Sequence, residues 1–193
     1  MITSFYSIGE LKDLGLAKFG KNVLISKKAS FYYPEKMSIG NNVRIDDFCI
    51  LSGRIEIGNF IHIAAYSAIY AGDEGVLLED FVGISGRVSI YTISDDYSGN
   101  SLTNPMVPDK YKTLDKGKVI LKKHAIVGAG SVILPNVIIG EGTAVGALSL
   151  ISKNLEPWSI YVGMPARKIS ERKKNLLKLE EKLLGEMESE KNN

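Results

Sequence analysis

The chain of 193 residues contains one cysteine, two histidines and one tryptophan, and carries almost no excess of either charge. Cys49 alone excludes an internal disulfide framework and reads as a buried structural thiol. His62 and His124 offer no spacing that would hold a metal tightly, so no metal is expected. Lys plus Arg 24 against Asp plus Glu 22 gives +2, a balance that argues neither for nucleic acid nor for an anionic membrane. No apolar run is long enough to span a bilayer, and the start MITSFYSIGELKDLG lacks both a basic lead and an apolar signal core. A cytoplasmic protein is the expectation.

The body of the chain has a period of six instead of the helical 3.6. Branched aliphatics recur at Ile39, Ile45, Leu51, Ile57, Ile63 and Ile69, then at Leu78, Ile84 and Ile90, and again at Leu121, Val127, Ile133, Ile139, Val145 and Ile151. This is a hexapeptide repeat, each unit a short strand plus a turn, with three units closing one triangular coil. Four residues after each aliphatic comes a second inward position, filled by Val43, Cys49, Ile55, Ile61 and Ser67 early and by Ala125, Ser131, Val137, Thr143 and Ser149 late. Stacked coils bury both sets, and no coil is stable without its neighbours. Gly40, Gly58, Gly128, Gly140 and Gly146 follow the aliphatic, where a corner is expected to require positive φ.

The pattern divides the chain into an N-terminal helical cap over 1–18, a parallel β-helix over 19–166, and a C-terminal helix and tail over 167–193. In the cap, Thr3 to Gly15 is expected to be a helix, with Ser7 and Glu10 as a capping box. AGDEG marks a bulge before Leu78. From 93 to 117 the six-residue beat stops, and this long polar loop is expected to be functional. Glu171 to Met187 reads as an amphipathic helix with Leu176, Leu179, Leu183 and Met187 on its apolar side, and residues after Glu188 as a frayed end.

VGAGSVILPNVIIGEGTAVGALSLISKNLEPWSIYVGMPARKI resembles the last coils of hexapeptide-repeat acetyltransferases, the superfamily of galactoside, maltose, xenobiotic and nucleotide-sugar enzymes. FYSIGELKDLG, KNVLISKKAS, IGNNVRIDDFCILSG, IYTISDDYSGNSLTNP and GKVILKKHAIVGAGSV are similar to the sugar N-acetyltransferases acting on dTDP-4-amino-4,6-dideoxyglucose. The resemblance implies a left-handed β-helix, acetyl-CoA as co-substrate, a homotrimer with active sites between subunits, and a role in O-antigen or surface polysaccharide synthesis. By motif position Gly128, Ala129, Gly130, Gly146 and Ala147 would line the coenzyme A channel, with a backbone N–H near Ala129 or Ala147 as the oxyanion donor. Lys153, Arg167 and Lys168 would meet its phosphates.

The galactoside-type enzymes use a histidine roughly where this chain has Asp95. A hydroxyl nucleophile gains much from such a base, whereas a neutral amine attacks unaided, so the missing histidine favours an amine acceptor. Asp95 or Asp96 would orient the amine and collect its proton, or else begin an Asx-type turn. His62, turned outward beside Ile63, is an alternative base or an interface residue; His124 is expected to meet solvent or coenzyme. Asp46 and Asp47 would contact the amino sugar together with Tyr97 and Asn104 of the loop, or bond corner N–H groups. The competing functions are a sugar O-acetyltransferase and a scaffold that has lost its site.

Overall fold

All fifteen periodic aliphatics lie at 5% exposure or less, and the ten residues of the second inward set are buried with them. They form the axis of a left-handed parallel β-helix in a computed structural model that describes residues 4–191. The first face of the prism stacks Val23–Ile25, Val43–Ile45, Ile61–Ile63, Gly83–Ile84, Ile126–Val127, Ala144–Val145 and Ser159–Val162. A second face carries Ser30–Tyr32, Ser89–Tyr91, Val132–Ile133 and Leu150–Ile151, and the third carries Lys18–Phe19, Met37–Ile39, Val119–Leu121 and Ile138–Ile139. Two long strands, Ile50–Ile57 and Ala68–Leu78, run through the corner between these faces and join them into one sheet. The AGDEG bulge lies here, and Gly53, Gly72 and Gly75 take positive φ so that the strands can bend without parting.

The glycines that follow the aliphatics do a different job from the one expected. Gly40, Gly58, Gly128, Gly140 and Gly146 are not in the left-handed region; a Cβ on Gly128 would collide with the backbone of Gly146 and Ala147 in the next coil. Positive φ falls two residues later, mostly on side chains: Phe48, Tyr66, Arg87 and Leu148 at the first corner, and Asn42, Phe60, Phe81, His124 and Trp158 at the third. Stacking offsets the backbone cost, with Phe60 on Phe81 at 4.7 Å, Phe81 on His124 at 5.0 Å and Phe48 on Tyr66 at 5.0 Å between centroids.

Helix α1, Ile8–Asp13, is shorter than the expected Thr3–Gly15; Met1 to Thr3 lie outside the described residues. The capping box is present, Ser7 N–H donating to Glu10 Oε2 and Glu10 N–H to Ser7 Oγ, and Leu11 reaches the core. At the other end, Arg167–Glu171 pairs antiparallel with Ser159–Val162, which delays α2 to Leu176–Lys191 and extends it past the expected end. The α2 helix docks on the third corner through Glu180, which bonds Lys123 at 2.5 Å and His124 at 2.8 Å. His124 is thus a buried docking residue and not the expected solvent contact. Leu179 stays exposed, and Leu183 is only partly covered. No helix of the described residues is long and apolar enough to cross a membrane.

The loop over 93–117 is an ordered arm. Its ends pair antiparallel as Ile93–Asp95 with Leu114–Lys116, its tip contains the 3-10 turn Asp109–Tyr111, and Gly117 N–H donates to Thr92 O to close the base. The arm leaves the prism at the corner between the second and third faces.

Candidate active site

The first corner presents a column of five successive coils: Asp46, Ala64, Ser85, Gly128 and Gly146, each donating its N–H to the coil above. Of the residues just after them, Asp47, Ala65, Gly86 and Ala129 have carbonyls that accept from the coil above, but among the described residues the N–H groups of these four and of Ala147 find no backbone acceptor. Ala129 and Ala147 are exposed. An outward column of open donors suits an extended ligand with carbonyl groups, and it can polarise a thioester carbonyl. Gly130, at φ 71°, lies against Leu148, the positive-φ residue of the coil above.

Lys153 and Arg167 line one shallow hollow at the top of the second face, with Leu150, Ser152 and Pro165. Lys168 is elsewhere: it bonds Glu171 at 2.7 Å and Glu156 at 2.9 Å, and these carboxylates raise its pKa above the ordinary lysine range. Its charge is already balanced within the chain.

On the first face His62 Nε2 lies 2.7 Å from Asp46 Oδ2, and Arg44 Nε donates to Asp46 Oδ1 at 2.6 Å. Burial opposes ionisation of Asp46, but the bonds from His62 and Arg44 outweigh it and lower the pKa. Asp47 is a brace: Ser26 Oγ donates to Oδ1 at 2.5 Å and Lys28 pairs with Oδ2 at 2.8 Å, lowering its pKa. Cys49 is buried in the same corner with its pKa pushed up to about 11 by desolvation, which makes it a poor nucleophile.

Asp95 stands on the arm, across the second face from this corner. It shares a hollow of about 190 Å³ with Ile93, Asn104, Pro105, Lys112 and Leu114, and its Oδ1 accepts from Asn104 N–H at 3.3 Å. Within one chain, then, Asp95 and Asn104 come together, but Asp46, Asp47 and His62 do not line their hollow. Asp96 is committed to the turn: it accepts from Ser98 N–H, Ser101 N–H and Ser101 Oγ, and bonds to Ser98 and Ser101 lower its pKa. Tyr97 is 93% exposed and outside the hollow. Sequence reading missed Lys112, because the arm has no period to sort its residues, and Ser85, whose slot is visible only when every third hexad is compared. A larger cavity of about 550 Å³ between α2 and the Phe60–Phe81 stack contains none of the expected site residues. No group of three or more His, Cys, Asp or Glu among the described residues is placed to hold a metal.

No protein-family model matches the chain. It is 51% identical over 174 residues to the dTDP-4-amino-4,6-dideoxy-D-glucose acyltransferase of Escherichia coli, covering 89% of this chain and 90% of that one. It matches the crystal structure of AntD, an N-acyltransferase from Bacillus cereus in complex with dTDP and 3-hydroxybutyryl-CoA, with a TM-score of 0.96 and 56% identity, covering 97% of this chain and all of the other. A serine variant of AntD, in complex with dTDP-4-amino-4,6-dideoxyglucose and coenzyme A, matches with a TM-score of 0.95 and 55% identity over 96% of this chain and all of that one. With an open donor column on a hexapeptide prism and relatives this similar over nearly its full length, the chain belongs to the dTDP-4-amino-4,6-dideoxyglucose N-acyltransferases.

Proposed function

We propose that this enzyme transfers an acyl group from a coenzyme A thioester to the 4-amino group of dTDP-4-amino-4,6-dideoxyglucose, in the cytoplasm, for a surface polysaccharide. The neutral amine attacks the thioester carbonyl, the C–N bond forms, and the tetrahedral intermediate expels the thiolate of coenzyme A. Open N–H groups at Ala129 or Ala147 carry the charge on the intermediate's oxygen. Gly128, Gly130 and Gly146 admit the pantetheine arm to the corner, and Lys153 and Arg167 meet the phosphates of the coenzyme. Lys168 holds no free charge for that purpose and is left out.

Asp95 orients the amine and accepts its proton as the amide forms. The observation that carries this is its position in a hollow with Asn104, free of the turn bonds that occupy Asp96. AntD has been solved with substitutions at one serine and at one aspartate, and Ser85 with Asp95 is the one serine–aspartate pair in this sequence with their spacing. We read Ser85 as a second contact to the reacting groups. Because Ser85 and Asp95 lie on opposite edges of the second face, the reading includes a homotrimer in which the arm of one copy meets the first corner of the next.

The test is release of free thiol on incubation with the nucleotide sugar and either acetyl-CoA or 3-hydroxybutyryl-CoA. Acetyl-CoA is the expected donor, and no turnover with either thioester would sink the reaction. The His62–Asp46 pair favours a second reading, O-acylation of a sugar hydroxyl, since a carboxylate-oriented histidine is what such an acceptor needs. That reading requires turnover with a glycoside that bears no amine.

A further inference from the structure

The backbone of Asp95 is fixed on both sides. Asp95 pairs with Leu114 in the antiparallel ladder of the arm, and the next residue, Asp96, closes a turn with Ser98 and Ser101. What remains free is the side chain, whose torsions decide where the carboxylate is aimed. One of its oxygens, Oδ1, accepts from Asn104 N–H at 3.3 Å, and the other accepts no hydrogen bond among the described residues.

The donor belongs to a turn whose other donors are spent. Asn104 lies in the left-handed region at φ 74°, and Pro105 after it has no N–H to offer. Met106 N–H donates to Asn104 Oδ1 at 3.0 Å, and Val107 N–H donates to Asn104 O at 3.3 Å. Of residues 104–107, Asn104 alone has an N–H left for Asp95. Asparagine suits this place twice, because its side chain closes an Asx turn and it tolerates the left-handed region.

We infer that Asn104 is a positioning residue for the acyl transfer: its left-handed turn holds the Asp95 carboxylate by Oδ1 and leaves Oδ2 open to the amine of the acceptor. The inference rests on the role proposed for Asp95 above. Its support is that the bond reaches across nine positions of the sequence to the carboxylate and plays no part in closing the arm. The arm is closed instead by Gly117 N–H on Thr92 O and by Leu102 N–H on Tyr111 O. Losing the Asn104 donor therefore frees the carboxylate to swing while the arm keeps its form, and a misplacement of about 1 Å at a reacting group costs up to about a hundredfold in rate.

Thiol-release kinetics with the nucleotide sugar, on Asn104→Val, Asn104→Gly, Asp95→Asn and the double variant Asn104→Val/Asp95→Asn, test this. Valine resists a positive φ and glycine adopts it freely. Asn104→Val is expected to lower kcat by about tenfold or more, with KM for both substrates within about threefold of wild type. Asn104→Gly keeps the turn and its N–H, and is expected to recover kcat to within about threefold. The double variant is expected to lose no more than Asp95→Asn alone, because Asn104 acts through that carboxylate. A wild-type kcat in Asn104→Val, a loss in Asn104→Gly as deep as in Asn104→Val, or losses that multiply in the double variant would each overturn the assignment while Asp95 keeps its role. An Asp95→Asn enzyme as fast as the wild type would instead sink the reading of Asp95, and the role of Asn104 with it.

Discussion

His62 and Asp46 form an ion-pair geometry of 2.7 Å across adjacent coils of the first face, and Arg44 closes the other oxygen of the same carboxylate. The contact belongs to the outer surface of the prism, a full face away from the arm. His62→Gln is expected to leave kcat within about threefold of wild type when the acceptor is an amine. A loss of a hundredfold or more would move the proton acceptor from Asp95 to His62.

The same carboxylate gives a pH dependence of stability. Its folded pKa is depressed, so its contribution is complete above the unfolded value of about 3.9 and is lost as pH falls through the folded value. Asp46→Asn is expected to cost about 1 kcal/mol at neutral pH and nothing at the acid end. Urea unfolding of both proteins from pH 7 down to the acid limit of folding measures the gap, which must close on acidification.

Asp95→Asn is expected to lower kcat by about a hundredfold or more while acyl-CoA binding changes little, because the carboxylate is proposed to serve the acceptor. Equal losses in both would count against that role. Ser85→Ala is expected to lower kcat by a smaller factor of about ten.

The proposed meeting of one copy's arm with the next copy's first corner makes a sharper experiment possible. Ser85→Ala and Asp95→Asn chains, unfolded together and refolded as mixed oligomers, should regain activity above that of either variant alone, since one interface in the mixture has both residues intact. Failure to recover activity in trimers verified by light scattering would remove the inter-subunit arrangement.

Glu180 holds α2 to the prism with its side chain 9% exposed. Desolvation works against the charge, and the bonds from Lys123 and His124 overcome it, so the pKa is lowered. Its contribution is full above about pH 4.3 and falls as pH drops toward the folded value. Glu180→Gln is expected to cost about 2 kcal/mol and to raise hydrogen exchange along α2 and not in the coils. Uniform exchange across the molecule would show that α2 is not a separate unit.

Gly128→Ala is expected to destabilise the prism by about 2 kcal/mol, because the added Cβ meets the backbone of the next coil, which has no rotamer to change. A thermal midpoint equal to the wild type's would mean that the coils can spread.

What the sequence made legible was everything that repeats. Ile63 and Ser67 announce their burial because each stands in a slot that recurs along the chain, and burial is the common cause of the recurrence. A six-residue average, however, merges three corners that differ physically. It hid the difference between Gly128, which makes room for a neighbour, and Leu148, which takes the left-handed turn. It also hid Ser85, the hydroxyl between Ala64 and Gly128 in a column that aligns only when every third hexad is compared and the bulge and the arm are skipped. Asp95 stood out because the rhythm fails around it, yet its neighbours Asn104 and Lys112 are set by contacts across the arm that no local pattern encodes.

The coil register separates two lengths that a chain normally confuses. Ile45 and Ile63 are one coil apart, as are Ile63 and Ile84 despite the bulge, and Ile84 and Val127 despite the whole arm. Extra residues add contour without adding height, so every rung stays about 4.8 Å from the next. The corner is therefore a ruler of fixed graduation, the one the proposed reaction uses to position its thioester, while the arm is free to be lengthened, shortened or rewritten without moving a single mark on it.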